Sequence, residues 1–179
     1  MSQGGGFLTA TAFQLRQAFD RSFADAARVE RADALDILAV RIATEGYALR
    51  AGEVAGLFKE RVVTPIPSAT PELLGLAGLR GSVVPVYDLR VLLGHPRGER
   101  PRWLVLAAGP EVVGLAFDGF EGQFRVPREQ IATAGPDVAQ TKVGQAVRTG
   151  DVLRRIVDVP ALVEAIKGRV RREGPAKER

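Results

Sequence analysis

Residues 75–94 read GLAGLRGSVVPVYDLRVLLG, a segment with four glycines, one proline and two arginines. Its apolar run Val83–Leu89 predicts a strand, and the glycine-rich Gly75–Gly78 before it is typical of a loop. Because Pro85 lacks a backbone N–H, it favours an edge strand or a bulge. Arg80 stands where the loop meets the strand. A charged residue at this place is either a solvated end or a binding contact.

The composition is that of a soluble globular protein. The chain has 179 residues, of which 46% are hydrophobic and 26% charged, enough for one domain or two closely packed small ones. There is no cysteine, which excludes disulfides, thiolate metal sites and cysteine nucleophiles. No apolar run approaches the roughly 20 residues of a membrane-spanning helix, and the start does not resemble a signal peptide. We therefore expect a cytoplasmic protein without direct membrane insertion.

The net charge of +4 comes from the C-terminal end alone. From Lys167 onward there are six basic and two acidic residues, a difference of +4, so the rest of the chain is formally neutral. We interpret residues 168–179 as a basic disordered tail that is solvated. Weak attraction of this tail to an acidic partner, nucleic acid or a membrane is the alternative.

Residues 1–33 differ in composition from the rest of the chain. We expect a flexible start over residues 1–10 and a helical extension over residues 11–33, which contain neither glycine nor proline. Leu15, Phe19 and Phe23 repeat at helical spacing and form one apolar stripe. The helix either packs on its own domain or is offered to a partner.

The sequence after residue 33 predicts short strands that are separated by regularly spaced turns. Hairpin signals occur at Gly46, at Gly109-Pro110 and at Thr149-Gly150-Asp151, and prolines 65, 67 and 71 indicate an irregular loop. The expected strands lie within 38–42, 47–49, 54–58, 62–66, 83–89, 103–108, 112–117, 142–148 and 152–159. Pro160 is expected to open a short C-terminal helix that runs to about Lys167. Without βαβ alternation, this pattern favours a mainly β protein with a sandwich or small barrels.

No pattern of catalysis, cofactor binding or metal binding is present. His95 is the single histidine and is expected to be an exposed loop residue, and no nucleophile elbow or phosphate-binding glycine loop occurs. Asp118 and Glu121 fall in a glycine-rich stretch that we interpret as a structural turn. Aromatic residues are only 6% of the chain, which argues against a nucleic-acid-binding barrel. These features favour a binding module that is not an enzyme.

The order of the motifs resembles the CheW family of bacterial chemotaxis coupling proteins. The segment 47–54 is similar to the family's opening hairpin, and 62–67, VVTPIP, to its threonine-proline stretch. Residues 75–89 resemble its hallmark, in which apolar residues, asparagine, leucine, arginine and glycine precede a V-P-V-x-D-L strand. Residues 113–118 and 152–159 are similar to its later strands, so that the resemblance covers 36–167.

This resemblance implies a fold and a function. The fold would be two intertwined five-stranded SH3-like β-barrels around a shared core, over residues 34–167. The function would be that of a non-enzymatic adaptor without a cofactor. It would couple the cytoplasmic tip of methyl-accepting chemoreceptors to the regulatory domain of a CheA-type histidine kinase, without nucleic acid. The partner-binding residues implied are Val54, Leu57, Phe58, Ile66, Leu79, Arg80 and Gly81. The structural residues of the motif are Gly75, Gly78, Pro85 and Asp88.

Arg80 would then present its guanidinium to a partner, and the alternative is that it holds its own loop through backbone carbonyls. Asp88 is expected to fix a turn or pair internally. Two positions depart from the family pattern, since Gly78 replaces the hallmark asparagine and Gly56 replaces an acidic residue. These changes favour a divergent adaptor with altered partner choice. The alternatives are a stand-alone regulatory module with a single partner and, from another class, a nucleic-acid-binding barrel.

Overall fold

The computed structural model describes residues 33–133 and 143–172, with no side-chain description for the last two. Apart from Asp33, which lies in a turn, the predicted flexible start and N-terminal helix fall outside these ranges. So do residues 173–179 of the predicted basic tail.

The described residues form a mainly β fold. The strands are β1 (Ala34–Ile42), β2 (Glu45–Arg50), β3 (Val54–Lys59), β4 (Leu73–Leu79), β5 (Ser82–Asp88), β6 (Trp103–Ala107), β7 (Gly114–Phe117), β8 (Gly119–Pro127), β9 (Ile131–Thr133), β10 (Gln145–Thr149) and β11 (Val152–Val157). The helices are α1 (Leu89–Leu92) and α2 (Val159–Arg172), and 3-10 turns lie at Ala51–Glu53 and Arg128–Gln130.

The strands belong to two sheets, and the chain passes from one to the other and back. One sheet has six strands in the order β8-β1-β2-β11-β10-β9, and the other has five in the order β3-β6-β7-β5-β4. Strands β1 and β2 begin the first sheet, and β11 returns to pair with β2 in parallel, after the entire second sheet has formed. The intertwined arrangement is therefore confirmed. The first sheet has six strands where the resemblance implied five in each barrel, because the three-residue strand β9 pairs with β10 at its edge.

A pair of backbone hydrogen bonds links the two edges of the five-stranded sheet. Thr64, which follows edge strand β3, donates to the Leu76 carbonyl of the other edge strand β4 at 2.8 Å and accepts from Leu76 N–H at 2.9 Å. The expected strand at 62–66 is thus a single bridge. Gly75 permits this approach because a Cβ there would lie 2.1 Å from the Thr64 carbonyl oxygen, and its φ is +142°.

Three apolar clusters form the interior. The largest is shared by both sheets: it joins Val40 and Leu49 of the first sheet with Leu115 and Phe117 of the second, and α2 adds Leu162. A second cluster lies within the five-stranded sheet and a third within the six-stranded sheet. Since burying one such side chain stabilises by roughly 1.5–3 kcal/mol, the shared cluster binds the two sheets into one folded unit.

Several predicted loops and turns are regular structure instead. The loop expected at 75–78 is part of β4, whose glycines conceal the strand pattern. The turn expected after Asp118 is the start of β8, a nine-residue strand with Glu121, Gln123 and Arg125 at exposed positions. The first hairpin turns at Ala43-Thr44, while Gly46 pairs with Arg41 inside it. Ala43 has a positive φ of 55°, which the sequence gives no reason to expect.

Two further boundaries differ from prediction. Helix α2 continues past Lys167 to Arg172, so residues 168–172 are helical and the predicted tail begins too early. Strand β5 is internal to its sheet, so the edge position expected from Pro85 is wrong. Its pairing with β7 begins only at Val86, however, so Pro85 pairs with β4 alone. The alternative expectation for Pro85 was a bulge. An irregularity of this kind lies nearby, because the β4–β5 register shifts between Leu73 and Gly75.

Candidate partner-binding surface

Arg80 lies at the tip of the β4–β5 hairpin. Leu79 pairs with Ser82, which leaves Arg80 and Gly81 as a two-residue turn with φ values of 50° and 80°. Positive φ at both positions is the signature of a type I′ turn, the tightest common hairpin connection. The Arg80 side chain is exposed and, within the described residues, donates no hydrogen bond to a backbone carbonyl. The backbone turn therefore holds this loop without help from the guanidinium.

The Arg80 side chain folds back over strand β3. Its Cζ lies 5.9 Å from the centroid of the Phe58 ring, and the Cζ of Arg61 lies 5.4 Å from the same centroid. Contacts of this kind contribute about 0.5–1 kcal/mol at exposed sites. We name this arrangement the Arg80–Phe58–Arg61 surface. It places two guanidinium groups beside one half-buried aromatic ring.

Gly56 makes room for this arrangement. A Cβ built on Gly56 would lie 3.2 Å from Arg80 Nη2 and 3.0 Å from the Phe58 ring. A side chain at position 56 would therefore touch both groups. In the described part of the chain neither Arg80 nor Arg61 forms an ion pair. Both guanidinium groups can therefore donate hydrogen bonds to a carboxylate of another molecule.

Gly78, the second departure from the family pattern, faces solvent on the same hairpin. It pairs with Val83, whose side chain is 74% exposed. Nothing lies within 4 Å of a Cβ built on Gly78, so a larger residue would fit without a clash. The two departures thus differ: Gly56 is enclosed by Phe58 and Arg80, and Gly78 is open.

The structure brings together only some of the residues implied as partner contacts. Arg80, Gly81 and Phe58 lie at one surface, as described above. Leu79 does not belong to it, because it is 3% exposed and packs in the core of the five-stranded sheet. Val54 and Leu57 are partly buried against the shared cluster. Ile66 is 38% exposed and lies outside the named strands.

Arg61 and Val83 are the members of this region that the sequence did not single out. The exposure of Val83 could have been predicted from the sequence, because this residue alternates with buried Val84 along β5. Arg61 had none, because it lies three residues after Phe58, beyond the end of β3.

Asp88 and Asp118 have structural roles. Asp88 caps α1, since its Oδ1 accepts a hydrogen bond from Arg90 N–H at 3.0 Å, which agrees with the expected turn-fixing role. It is buried, and burial raises the pKa of this carboxyl above its ordinary value. The Arg90 guanidinium pairs with Asp118 at 2.7 Å, and Asp118 also accepts from Ala43 N–H at 2.5 Å. This chain of contacts ties the β1–β2 turn to α1.

His95 was expected to be exposed, and this prediction is wrong. Its Nε2 lies 2.8 Å from the hydroxyl of buried Tyr47, and the two rings meet edge to face with centroids 5.9 Å apart. Burial and nearby Glu45 raise the pKa of the Tyr47 hydroxyl. The histidine is thus a packed, half-buried residue.

Two further features of the described residues concern metal binding and the membrane. Among residues 33–133 and 143–172, no three histidine or carboxylate side chains converge as they would around a metal ion. None of the helices in these ranges combines the length and the apolar character needed to cross a bilayer.

Comparison with known proteins identifies the fold and its motif. The sequence pattern of the CheW-like domain matches residues 36–167, most of the chain. The chain belongs to the CheW-like domain family. This family match supports the fold class expected from the hallmark segment, and the two-sheet architecture agrees with it.

Individual relatives of the CheW-like chain are moderately similar. It is 28% identical to the chemotaxis protein CheW of Bacillus subtilis over 124 residues, which cover 66% of this chain and 80% of that protein. It is 31% identical to protein FrzA of Myxococcus xanthus over 111 residues, covering 60% and 67% respectively. The crystal structure of the scaffolding protein TtCheW from Thermoanaerobacter tengcongensis matches with a TM-score of 0.63 at 22% identity, covering 69% and 88%.

These matches indicate the kind of process in which the chain takes part. The chain is a CheW-like scaffold of chemotaxis-type signalling, and members of this family are scaffolding proteins, not enzymes.

Proposed function

We propose that this CheW-like chain is a cytoplasmic adaptor that couples the cytoplasmic tip of a chemoreceptor to the regulatory domain of a CheA-type histidine kinase. It catalyses no reaction, and it acts by holding its two partners in a defined arrangement relative to each other. The observation that supports this proposal most directly is the Arg80–Phe58–Arg61 surface. There, two exposed guanidinium groups, which have no carboxylate partner among the described residues, flank the Phe58 ring, and the β4–β5 turn carries one of them.

The chemistry of this surface favours an acidic contact on one partner. A guanidinium presents a planar fork that binds a carboxylate through two parallel hydrogen bonds. The Phe58 ring adds apolar area beside the charges, and exposed Val83 lies on the hairpin that carries Arg80. Interfaces commonly have such a composition, with arginine and aromatic residues among the few side chains that dominate the binding free energy.

The turn that carries Arg80 limits the entropy lost on binding. Since the type I′ geometry is fixed by the backbone, only the side chain has to be ordered when a partner binds. The ring contact with Phe58 already restricts the guanidinium to a position over β3. This preorganisation favours a specific contact over a diffuse electrostatic one.

Reconstitution tests the proposal. The purified protein is mixed with receptor-containing membranes and a CheA-type kinase from the same genome, and receptor-dependent autophosphorylation and co-sedimentation are measured. We expect the protein to recruit the kinase to the receptors and to change its activity. If it binds the kinase alone and never forms a ternary complex, it is a regulatory module with one partner. If it binds neither protein, the proposal fails.

A matched pair of variants connects the function to the surface. Arg80→Ala should weaken assembly, whereas Arg148→Ala, an exposed arginine on β10 of the other sheet, should not. Equal effects of the two variants would indicate general electrostatic attraction instead of a specific contact.

A further inference from the structure

A pocket lies at the end of β5 that is remote from the Arg80 turn. Its volume is about 420 Å³. Its buried floor is mainly apolar, formed by Leu104 and Ala116 with partly buried Leu74, and Trp103 forms part of the wall. This size and this apolar lining are those of small-molecule sites in proteins.

The exposed mouth of the pocket is basic. It carries Arg61, Arg97, Arg100 and Arg102, which come from the segment after β3 and from the connection between α1 and β6. Such a concentration is notable because residues 1–166 as a whole are formally neutral. The acidic residues of the lining are Asp88, which is committed to the α1 cap, and exposed Glu99.

Most of the positive charge at this mouth is not neutralised within the described residues. Arg102 pairs with Glu60 at 2.6 Å. Arg97 donates to the Pro71 carbonyl, and Arg100 donates to the Val63 carbonyl at 3.4 Å, both neutral acceptors. Arg61 contacts the Phe58 ring. Three guanidinium groups are therefore available to an anion while the floor beneath them is apolar.

We infer that this pocket binds a small amphipathic carboxylate, with its anionic head at the arginine mouth and its apolar body on the Leu74–Leu104–Ala116 floor. A purely inorganic anion would leave the floor unused, and an apolar molecule would leave the arginines unpaired. A cationic amphiphile would meet like charges at the mouth. The combination of charge and floor selects the class of ligand. Arg61 belongs both to this mouth and to the Arg80–Phe58–Arg61 surface, but binding of a small carboxylate does not depend on the adaptor function.

The single tryptophan of the sequence provides a direct reporter. Because Trp103 lines the pocket, its fluorescence should respond to an occupant. The full-length protein is titrated with decanoate below its micelle concentration, with acetate and decylamine as probes that carry only the head or reverse its charge. Calorimetry under the same conditions records binding independently of fluorescence. We expect saturable binding of decanoate with one site, and at least tenfold weaker binding of the other two.

Variants then locate the site. In the double variant Arg61→Ala/Arg100→Ala, decanoate binding should weaken by roughly tenfold or more, because two of the groups that can donate charge-assisted hydrogen bonds to the carboxylate are removed. The control Arg128→Ala/Arg148→Ala removes two exposed arginines elsewhere and should bind normally. Circular dichroism and thermal melting check that each variant is folded.

Three results would overturn the inference. The first is the absence of decanoate binding by both fluorescence and calorimetry. The second is equal binding of decanoate and decylamine, which indicates apolar partitioning without recognition of the carboxylate. The third is an equal loss in the folded control variant, which would place the effect in the net charge of the protein.

Discussion

The guanidinium carbon of Arg80 lies 5.9 Å from the centroid of the Phe58 ring, so that a hairpin tip between β4 and β5 contacts strand β3 of the same sheet. β3 and β4 are the two edges of that sheet. The contact, together with the Thr64–Leu76 bridge, brings these edges together and fixes the position of the arginine. A partner that binds Arg80 therefore meets a side chain supported by an aromatic ring.

Replacement of Arg80 should separate binding from stability. We expect Arg80→Ala to lower the free energy of unfolding by less than about 1 kcal/mol, because it removes an exposed side chain and one ring contact. The affinity for the partner should fall by about 2 kcal/mol or more if Arg80 is central to the interface. Urea unfolding and calorimetric titration with the kinase domain or receptor fragment measure the two effects. A large loss of stability with unchanged affinity for both partners would exclude the proposed contact.

A carboxylate at position 56 should capture Arg80 within the molecule. The Cβ of Gly56→Glu would lie beside Arg80 Nη2, so its carboxylate can pair with the guanidinium and compete with an acidic partner. Gly56→Gln crowds the Phe58 ring equally but adds no charge. We expect the glutamate variant to bind the partner several-fold more weakly than the glutamine variant, with a difference that shrinks at high salt. Identical affinities would show that position 56 acts through shape alone.

The closure of the five-stranded sheet should depend on Gly75. Gly75→Ala forces a Cβ against the Thr64 carbonyl oxygen at a φ of +142°, and we expect it to cost about 2 kcal/mol or more of unfolding free energy. Gly78→Ala, three residues along the same strand, meets open space and should change stability by less than about 1 kcal/mol. Chemical denaturation compares the two. Similar destabilisation by both would mean that the Thr64–Leu76 bridge contributes little.

Asp88 should give the protein a pH-dependent stability. Burial raises the pKa of this carboxyl in the folded state, so its contribution to stability is fully present below its unfolded pKa and is lost as pH rises through its folded pKa. Asp88→Asn keeps an oxygen that caps α1 but cannot ionise. The stability of this variant relative to wild type should therefore increase as pH is raised from about 3 to about 7.

Asp158→Asn is the control for this experiment, because Asp158 caps α2 through Ala161 N–H at 2.9 Å in an exposed position. Because this side chain is exposed, the variant shows the effect of replacing a capping aspartate by asparagine without burial. If Asp88→Asn shows no increase relative to wild type over this range, the buried carboxyl does not limit stability.

The sequence was sufficient for the fold class and for most hairpins, because these depend on local chemistry. Alternating apolar residues and glycine-containing turns predicted β5, β6, β7, β10 and β11 within a few residues of their observed bounds. The hallmark segment in 75–89 carried enough specific positions to indicate the CheW-like family. The prediction of strands from the sequence failed where a strand carries atypical residues: β4 contains two glycines, and β8 carries polar residues on its exposed side.

What the sequence by itself determined was therefore the mainly β class, most of the hairpins and the presence of an arginine beside a glycine-rich segment. Only the tertiary structure decided what surrounds that arginine. Phe58 and Arg61 lie on or after β3, about twenty residues before Arg80, and they meet it because the edges of one sheet approach each other. Leu79, adjacent to Arg80 in sequence, instead packs in the core, because it ends β4 on the buried face opposite to exposed Gly78. Contacts between distant strands depend on sheet closure, which no local pattern encodes.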